Sequence, residues 1–305
     1  MCGGLRFSTI CQARKGLSKV KTMQRRTSVK RLPGKLLTLL LLTTFCVAAT
    51  AQVSSALAEK LIRKSGLWAQ VEAIPLQVQA GLLQSPMKAS IPEAEVNRMA
   101  KIAAQSFAPA RMQKALVDSV AKQMKPEQMT QAMAWYDSAA GQLITAREEA
   151  ATANMGDVNA ALNEGNQTLE NASPKRQALI TAIIKASRSV AMNVDMSIHT
   201  GVAVFSGIVS SQTHQAGEAI KMFHAALQAK RPQMIASTMG QTMALSAMVY
   251  DPVADEELEG YLQFLSGDTA MRMMDIMYQG LDTAFTQSAH DFGKQLLVKK
   301  DKAGV

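Results

Sequence analysis

The chain has 305 residues, with 33 Lys and Arg against 24 Asp and Glu, which gives a formal net charge of +9. Ten of the basic residues and none of the acidic ones lie in residues 1–51, so residues 52–305 carry 23 basic and 24 acidic side chains, a net charge of −1. A net charge this close to zero does not suggest the basic surface by which proteins bind nucleic acid, and we expect no nucleic-acid partner.

Residues 1–51 have the pattern of a leader that ends in a signal peptide. A basic segment that starts at Met23 is followed by 14 mostly apolar residues, 36–49, and by the small-x-small sequence Ala49-Thr50-Ala51. Because a membrane span needs about 20 apolar residues, this segment is too short to cross a bilayer comfortably. We predict cleavage after Ala51 and export to a periplasm, with membrane contact only through the leader during export. A retained N-terminal membrane anchor and an organelle transit peptide are the alternatives.

The three cysteines, Cys2, Cys11 and Cys46, all lie in this leader. After cleavage the protein would have no disulfide, no thiolate metal ligand and no cysteine nucleophile. About 250 residues remain, which is enough for a core that needs no disulfide.

Residues 52–305 have the composition and periodicity of helices. Good helix formers dominate, and apolar residues recur at helical spacing without sustained strand alternation. We predict an all-α fold in which two similar multi-helix units, 52–151 and 176–305, form helical bundles. Residues 152–175 are poor in large apolar side chains and rich in Asn and Gly, which predicts a linker between the two units.

Prolines mark most of the predicted helix boundaries. In the first unit an apolar face runs through 54–84 with a kink or break at Pro75, and further helices begin near Pro92, after Pro109 and after Pro126. In the second unit we expect four breaks, which lie near 211–215, at Arg231-Pro232, at Asp251-Pro252 and near Gly267.

Two segments of similar sequence lie 129 residues apart. PEQMTQAMAWYDSAAGQLI begins at Pro126, and DEELEGYLQFLSGDTAMRM begins at Asp255. The pattern aligns Trp135 with Phe264 and keeps a small residue six positions later. We therefore predict an internal repeat of about 120 residues.

The two segments resemble the motif of a bacterial protein family that is known as domain of unknown function 2059. The resemblance rests on an acidic or Pro-Glu start, an apolar helix, an aromatic pair, a serine, two small residues and a glycine. It is close in the first segment and looser in the second, where Gly267 and Ala270 replace the serine and the glycine. The family consists of small exported helical proteins without an assigned activity. The resemblance implies export and a helical fold, and it implies no catalytic residue.

The first segment places an aromatic pair, a carboxylate and a hydroxyl side by side. The second keeps the bulky pair but loses the tyrosine hydroxyl and the carboxylate, so the copies share shape more than chemistry. This comparison favours a motif for packing against another helix, and a binding surface is the alternative. The candidate binding residues are Trp135, Tyr136, Asp137, Ser138, Gly141, Phe264 and Leu265.

No pattern in residues 52–305 predicts a catalytic residue, a metal site or a cofactor. There is no nucleophile elbow and no phosphate-binding loop, and Glu148 with Glu149 lies near a predicted helix end, where the pair suits the helix dipole and solvation. No histidine pair has the i, i+3 or i+4 spacing of metal ligands on a helix. The histidines are His199, His214, His224 and His290.

The remainder after residue 51 is methionine-rich, with 18 methionines. Methionine is an adaptable core residue, which accounts for most of them. Met192 with Met196 and the segment MRMMDIM, 271–277, leave Cu(I) ligation as an alternative, and a Met-lined groove could take apolar ligands or partner helices.

These observations predict a non-enzymatic envelope protein whose helical surface binds a protein partner or a second copy. An exposed apolar patch around Trp135 or Trp68 would support that prediction. The alternative is a binder or carrier of an apolar small molecule such as a lipid, which would need a pocket of a few hundred cubic ångströms. The third hypothesis is an enzyme of unrecognised type. It would need converging polar groups with perturbed pKa values, such as Tyr136, Asp137 and Ser138.

Overall fold

The computed structural model describes residues 54–84, 91–154, 157–210 and 216–297. The leader with its predicted cleavage site, the expected break at 211–215 and His214 lie outside these ranges. Nearly all described residues are helical and none forms a strand, which confirms the all-α fold class. Across the same ranges, every helix is too short or too polar to cross a bilayer.

The described chain is a succession of helices joined by short turns. The first helix, α1, covers residues 54–64. The others are α2 (Leu67–Gln84), α3 (Glu93–Ser106), α4 (Pro109–Gln123), α5 (Pro126–Tyr136), α6 (Ala139–Asn154), α7 (Val158–Asn171), α8 (Pro174–Ser187), α9 (Ser189–Val209), α10 (Ala216–Tyr250), α11 (Asp255–Leu265) and α12 (Asp268–Leu297).

Proline predicted the starts of helices in this chain better than it predicted breaks within them. The helix starts predicted from Pro92, Pro109 and Pro126 are confirmed, because the fixed φ and missing N–H of proline suit the first helical turn. The break expected at Pro232 is wrong, since α10 continues through it, and α2 likewise continues through Pro75, which leaves a kink as the remaining expectation there.

The first long apolar segment breaks elsewhere, at Gly66. Its φ of 74° is in the left-handed region that glycine adopts without strain. The Gly66 amide still bonds the carbonyl of Arg63 at 3.2 Å, which closes the end of α1. The break therefore follows glycine and not proline.

The linker predicted over 152–175 is wrong, because most of that segment is helical. Helix α6 extends to Asn154, and α7 begins after Asp157, whose carboxylate accepts the backbone N–H groups of Asn159 and Ala160. Helix α7 packs against α10 at Gly165, where an added Cβ would lie 2.2 Å from the carbonyl oxygen of Ala244. The small residues that suggested a linker instead allow a close helix crossing.

The two predicted units share one core within the described ranges. A single cluster of buried side chains includes Leu61, Met112 and Leu116 from the first unit and Met273 and Ile276 from the second. Helix α12 packs against α3 and α4 as well as α9. The described residues accordingly belong to one compact unit, and the two predicted units are not separate bundles.

Candidate functional site

The aromatic residues of the two similar segments pack against each other. The Trp135 ring stacks on Tyr261 at a centroid distance of 6.0 Å and on Phe264 at 5.0 Å. The Tyr136 ring meets Phe264 edge-on at 5.5 Å. These contacts join α5 to α11, as the packing interpretation of the motif predicts.

The polar members of the motif have structural partners in the turn between α5 and α6. Asp137 is exposed and forms an ion pair with Lys64. Ser138 precedes α6 and accepts the backbone N–H of Gly141 at 3.1 Å, as a helix N-cap does. A Cβ on Gly141 would lie 2.1 Å from the Trp135 carbonyl oxygen, so glycine is needed for the turn itself.

The seven candidate binding residues therefore divide into packing and capping roles. Trp135, Tyr136 and Phe264 come together, and Leu265 is buried at 3% exposure. Asp137 points to solvent and does not join them. Ligand binding by these residues stays a prediction.

Neither tryptophan forms the apolar patch that partner binding would need. Both indoles are half-buried. The Arg63 guanidinium lies 3.7 Å from the Trp68 ring centroid, and the indole N–H donates to Glu72 at 2.9 Å. The large apolar side chains that are exposed in the described ranges lie on four different helices; they are Leu76, Val158, Met222 and Met271.

A polar cluster that sequence reasoning missed lies beside the aromatic stack. Glu148 of α6 accepts hydrogen bonds from the hydroxyls of Tyr250 at 2.7 Å and Tyr261 at 3.2 Å. Both bonds end on Oε1, and no described residue donates to Oε2. The expectation that Glu148 serves a helix end and solvent is wrong, because α6 continues for six residues beyond it.

The environment of this cluster raises the pKa values of its ionisable groups. Burial raises the pKa of Glu148, which the two tyrosine hydrogen bonds oppose and the charge of Glu149 reinforces. Burial, together with the nearby Glu148 charge, raises the pKa values of Tyr250, Tyr261 and Tyr136. The tyrosine hydroxyls therefore act as hydrogen-bond donors and not as bases.

Glu148, Tyr250 and Tyr261 line a cavity of about 360 Å³ between α6, α8, α10 and α11, which we call the Glu148 pocket. Its apolar wall consists of Ile183, Ile184, Leu245 and Val249. Its hydroxyl groups belong to Thr152, Ser187, Ser189, Thr242 and Ser246. An apolar wall with a few convergent polar groups is typical of small-molecule sites.

A second cavity of about 710 Å³ lies between α9, α10 and α12. The fold brings His199, His224 and His290 to its lining, although their sequence spacing did not suggest it. His199 is paired with Asp282, with Nδ1 3.0 Å from Oδ1. In the described part of the chain, no group of three His, Cys, Asp or Glu side chains is placed to hold a metal ion. The Glu148 pocket is the better candidate because its carboxylate has a free oxygen.

Comparison of the chain with family models, curated proteins and solved structures finds no match. The resemblance to domain of unknown function 2059 therefore stays a prediction that rests on the two motif segments.

The raised pKa of Glu148 predicts a pH-dependent effect of the variant Glu148→Gln. The folded protein holds this proton more tightly than the unfolded chain, so Glu148 costs stability as the pH rises from about 4.3, the pKa of an unfolded Glu, to the raised folded value. Glutamine keeps a carbonyl acceptor for the tyrosine hydroxyls and carries no charge. We expect the melting temperature of the variant to match wild type below about pH 4 and to exceed it at pH 7.5, as followed by circular dichroism.

Glu170→Gln is the matched control, because Glu170 is exposed on α7. It should show no such difference between the two pH values. A Glu148→Gln protein that melts below wild type at both pH values would contradict the prediction.

Proposed function

We propose that the protein is a non-catalytic binding protein that holds a small organic molecule in the Glu148 pocket. The observation that carries the proposal is a half-buried carboxylate beside an apolar wall, with Oε2 free of hydrogen bonds from the described residues. Oε2 is accessible from the cavity, so it can accept a hydrogen bond from a ligand that enters it.

Binding accounts for the pocket better than catalysis does. The raised pKa values of Tyr250 and Tyr261 keep their hydroxyls protonated, so that they donate to Glu148 and do not act as bases. Activation of a nucleophile requires the opposite shift. Of the residues considered for an enzyme, Asp137 pairs with Lys64 and Ser138 caps α6.

Export to a bacterial periplasm completes the proposal. The basic, acid-free segment before residue 36, the apolar residues 36–49 and the small-x-small sequence that ends at Ala51 support it. Binding of a protein partner or a second copy through the helical surface stays a separate prediction.

We also propose that the two similar segments are copies of one unit. Helices α5 and α11 both have 11 residues and begin 129 positions apart. Both also begin alike: the side chains of Gln128 and Glu257 accept the backbone N–H groups of Lys125 and Ala254 at 3.0 and 3.1 Å. Equal lengths and equal caps at equivalent positions support a repeat.

Native mass spectrometry of the full chain, expressed in a bacterium, tests the proposed function. We expect a folded species that is heavier than the polypeptide by the mass of a small molecule, which is released on denaturation. The variant Ser246→Trp fills the pocket from the α10 side and should be recovered without that mass. The intact mass also reports whether the chain begins at Gln52.

Ser237→Trp is the matched control, because Ser237 is exposed on the same helix and does not line the pocket. It should keep the bound mass. Wild-type protein without a bound molecule, or a Ser246→Trp protein that retains it, would contradict the proposal.

A further inference from the structure

We propose that the ligand of the Glu148 pocket carries a protonated amine on a small apolar body, and that its ammonium group binds Glu148 Oε2. This inference rests on the proposed function and specifies its ligand class. Two independent features of the lining carry it, which are its charge and its hydrogen-bonding character.

The charge of the pocket has no counter-charge in the protein. Glu148 is the one acidic side chain of the lining, and no Lys, Arg or His lines the cavity with it. A carboxylate that is partly removed from water is costly unless a cation pairs with it. A ligand ammonium supplies that cation and forms a charge-assisted hydrogen bond to the free oxygen.

Three of the five serine and threonine hydroxyls of the lining donate their protons within the protein. The Thr152 hydroxyl donates to the Glu148 backbone carbonyl at 2.9 Å, and the Thr242 hydroxyl donates to the Thr238 carbonyl at 2.8 Å. The Ser187 hydroxyl likewise has acceptors in Ile184 O and Ser189 Oγ, each at 3.0 Å. These oxygens can therefore only accept a further hydrogen bond.

The hydroxyls of Tyr250 and Tyr261 can also only accept a further hydrogen bond, because both donate their protons to Glu148 Oε1. Five of the seven hydroxyls of the lining thus offer only acceptors to the cavity, whereas the Ser189 and Ser246 hydroxyls and the Gln70 amide can also donate. An ammonium group has three donors and no acceptor, which matches this lining better than an alcohol or a carboxylate does. The apolar wall of Ile183, Ile184, Leu245 and Val249 then faces the apolar body of the ligand.

The test compares three probes of similar size on the full chain at pH 7.5: 2-phenylethylamine, 2-phenylethanol and phenylacetate. Isothermal titration calorimetry measures each dissociation constant. We expect the amine to bind at least about tenfold more tightly than the alcohol, and phenylacetate to bind most weakly. Glu148→Gln should reduce the preference for the amine to less than about twofold, whereas Glu170→Gln should keep it.

The outcomes separate this inference from the proposed function. If the alcohol binds wild type as tightly as the amine, or if Glu148→Gln keeps the preference, the ammonium assignment is wrong and small-molecule binding stands. If none of the three probes binds while native mass spectrometry shows a bound molecule, the ligand class is wrong. If neither method detects binding, the proposed function fails as well. Melting curves of Glu148→Gln establish that the variant is folded.

Discussion

Replacing Gly207 by alanine is expected to destabilise the protein by about 1–3 kcal/mol, the usual cost of overpacking a core. Gly207 lies where α9 crosses α12. An added Cβ there would lie 2.2 Å from the His290 carbonyl oxygen and 2.8 Å from the Lys294 amide nitrogen. Both neighbours are backbone atoms of a long helix, so the whole crossing has to move apart.

The facing residue Gly293 should behave in the same way, because its added Cβ would lie 2.2 Å from the Val204 carbonyl oxygen. Urea denaturation followed by circular dichroism measures the free energy of unfolding of each variant. The effects of Gly207→Ala and Gly293→Ala should not add, since the first variant already separates the two helices.

Gly240→Ala is the matched control for this crossing. Gly240 lies inside α10, and nothing lies within 4 Å of the position of its added Cβ. Alanine has the higher helix propensity, so this variant should gain up to about 1 kcal/mol. A loss of stability at Gly240, or none at Gly207, would contradict the close crossing.

Replacing Arg176 by alanine is expected to cost about 2–4 kcal/mol, because several charge-assisted contacts are lost together. Arg176 lies in the first turn of α8. Its Nη1 is 2.6 Å from Asp255 Oδ1, at the start of α11. Its Nη2 donates to the carbonyls of Tyr250, Asp251 and Val253, where α10 ends. The guanidinium therefore joins the first turns of α8 and α11 to the carbonyls at the end of α10, where the helix supplies few further donors.

Arg176→Lys should recover only part of the loss, since a lysine is a single point charge without the planar fork of arginine. Arg111→Ala is the control, because Arg111 forms one ion pair with Asp291 at 2.8 Å and is 42% exposed. It should cost less than about 1 kcal/mol. Equal losses for Arg176→Ala and Arg111→Ala in urea denaturation would contradict the role of Arg176.

The helical class and many boundaries could be predicted because their causes are local. Pro109 and Pro126 begin helices through their own fixed φ. Helix α11 ends at Leu265, close to the break expected near Gly267. The linker prediction was wrong because glycine occurs both in flexible segments and in tight helix crossings. Only the backbone of Ala244, which packs against Gly165, shows that this segment is a crossing.

The packing role of the motif could be predicted from the similarity of the two segments, but the candidate site could not be predicted from the sequence. Aligning Trp135 with Phe264 indicated that shape matters at these positions, and their rings are in contact. Glu148 had no such signal. Its two hydroxyl partners lie 102 and 113 residues further along the chain, and adjacent carboxylates on a helix are usually solvated.

By itself, the sequence determined the all-α class of the described residues and the proline-started helices, because helix propensity, backbone restriction and periodicity act over a few residues. The tertiary structure decided which glycines lie at helix crossings and which carboxylate lines a cavity. Those properties depend on atoms that are remote in sequence, since burial and electrostatic environment are set by whichever helix packs alongside.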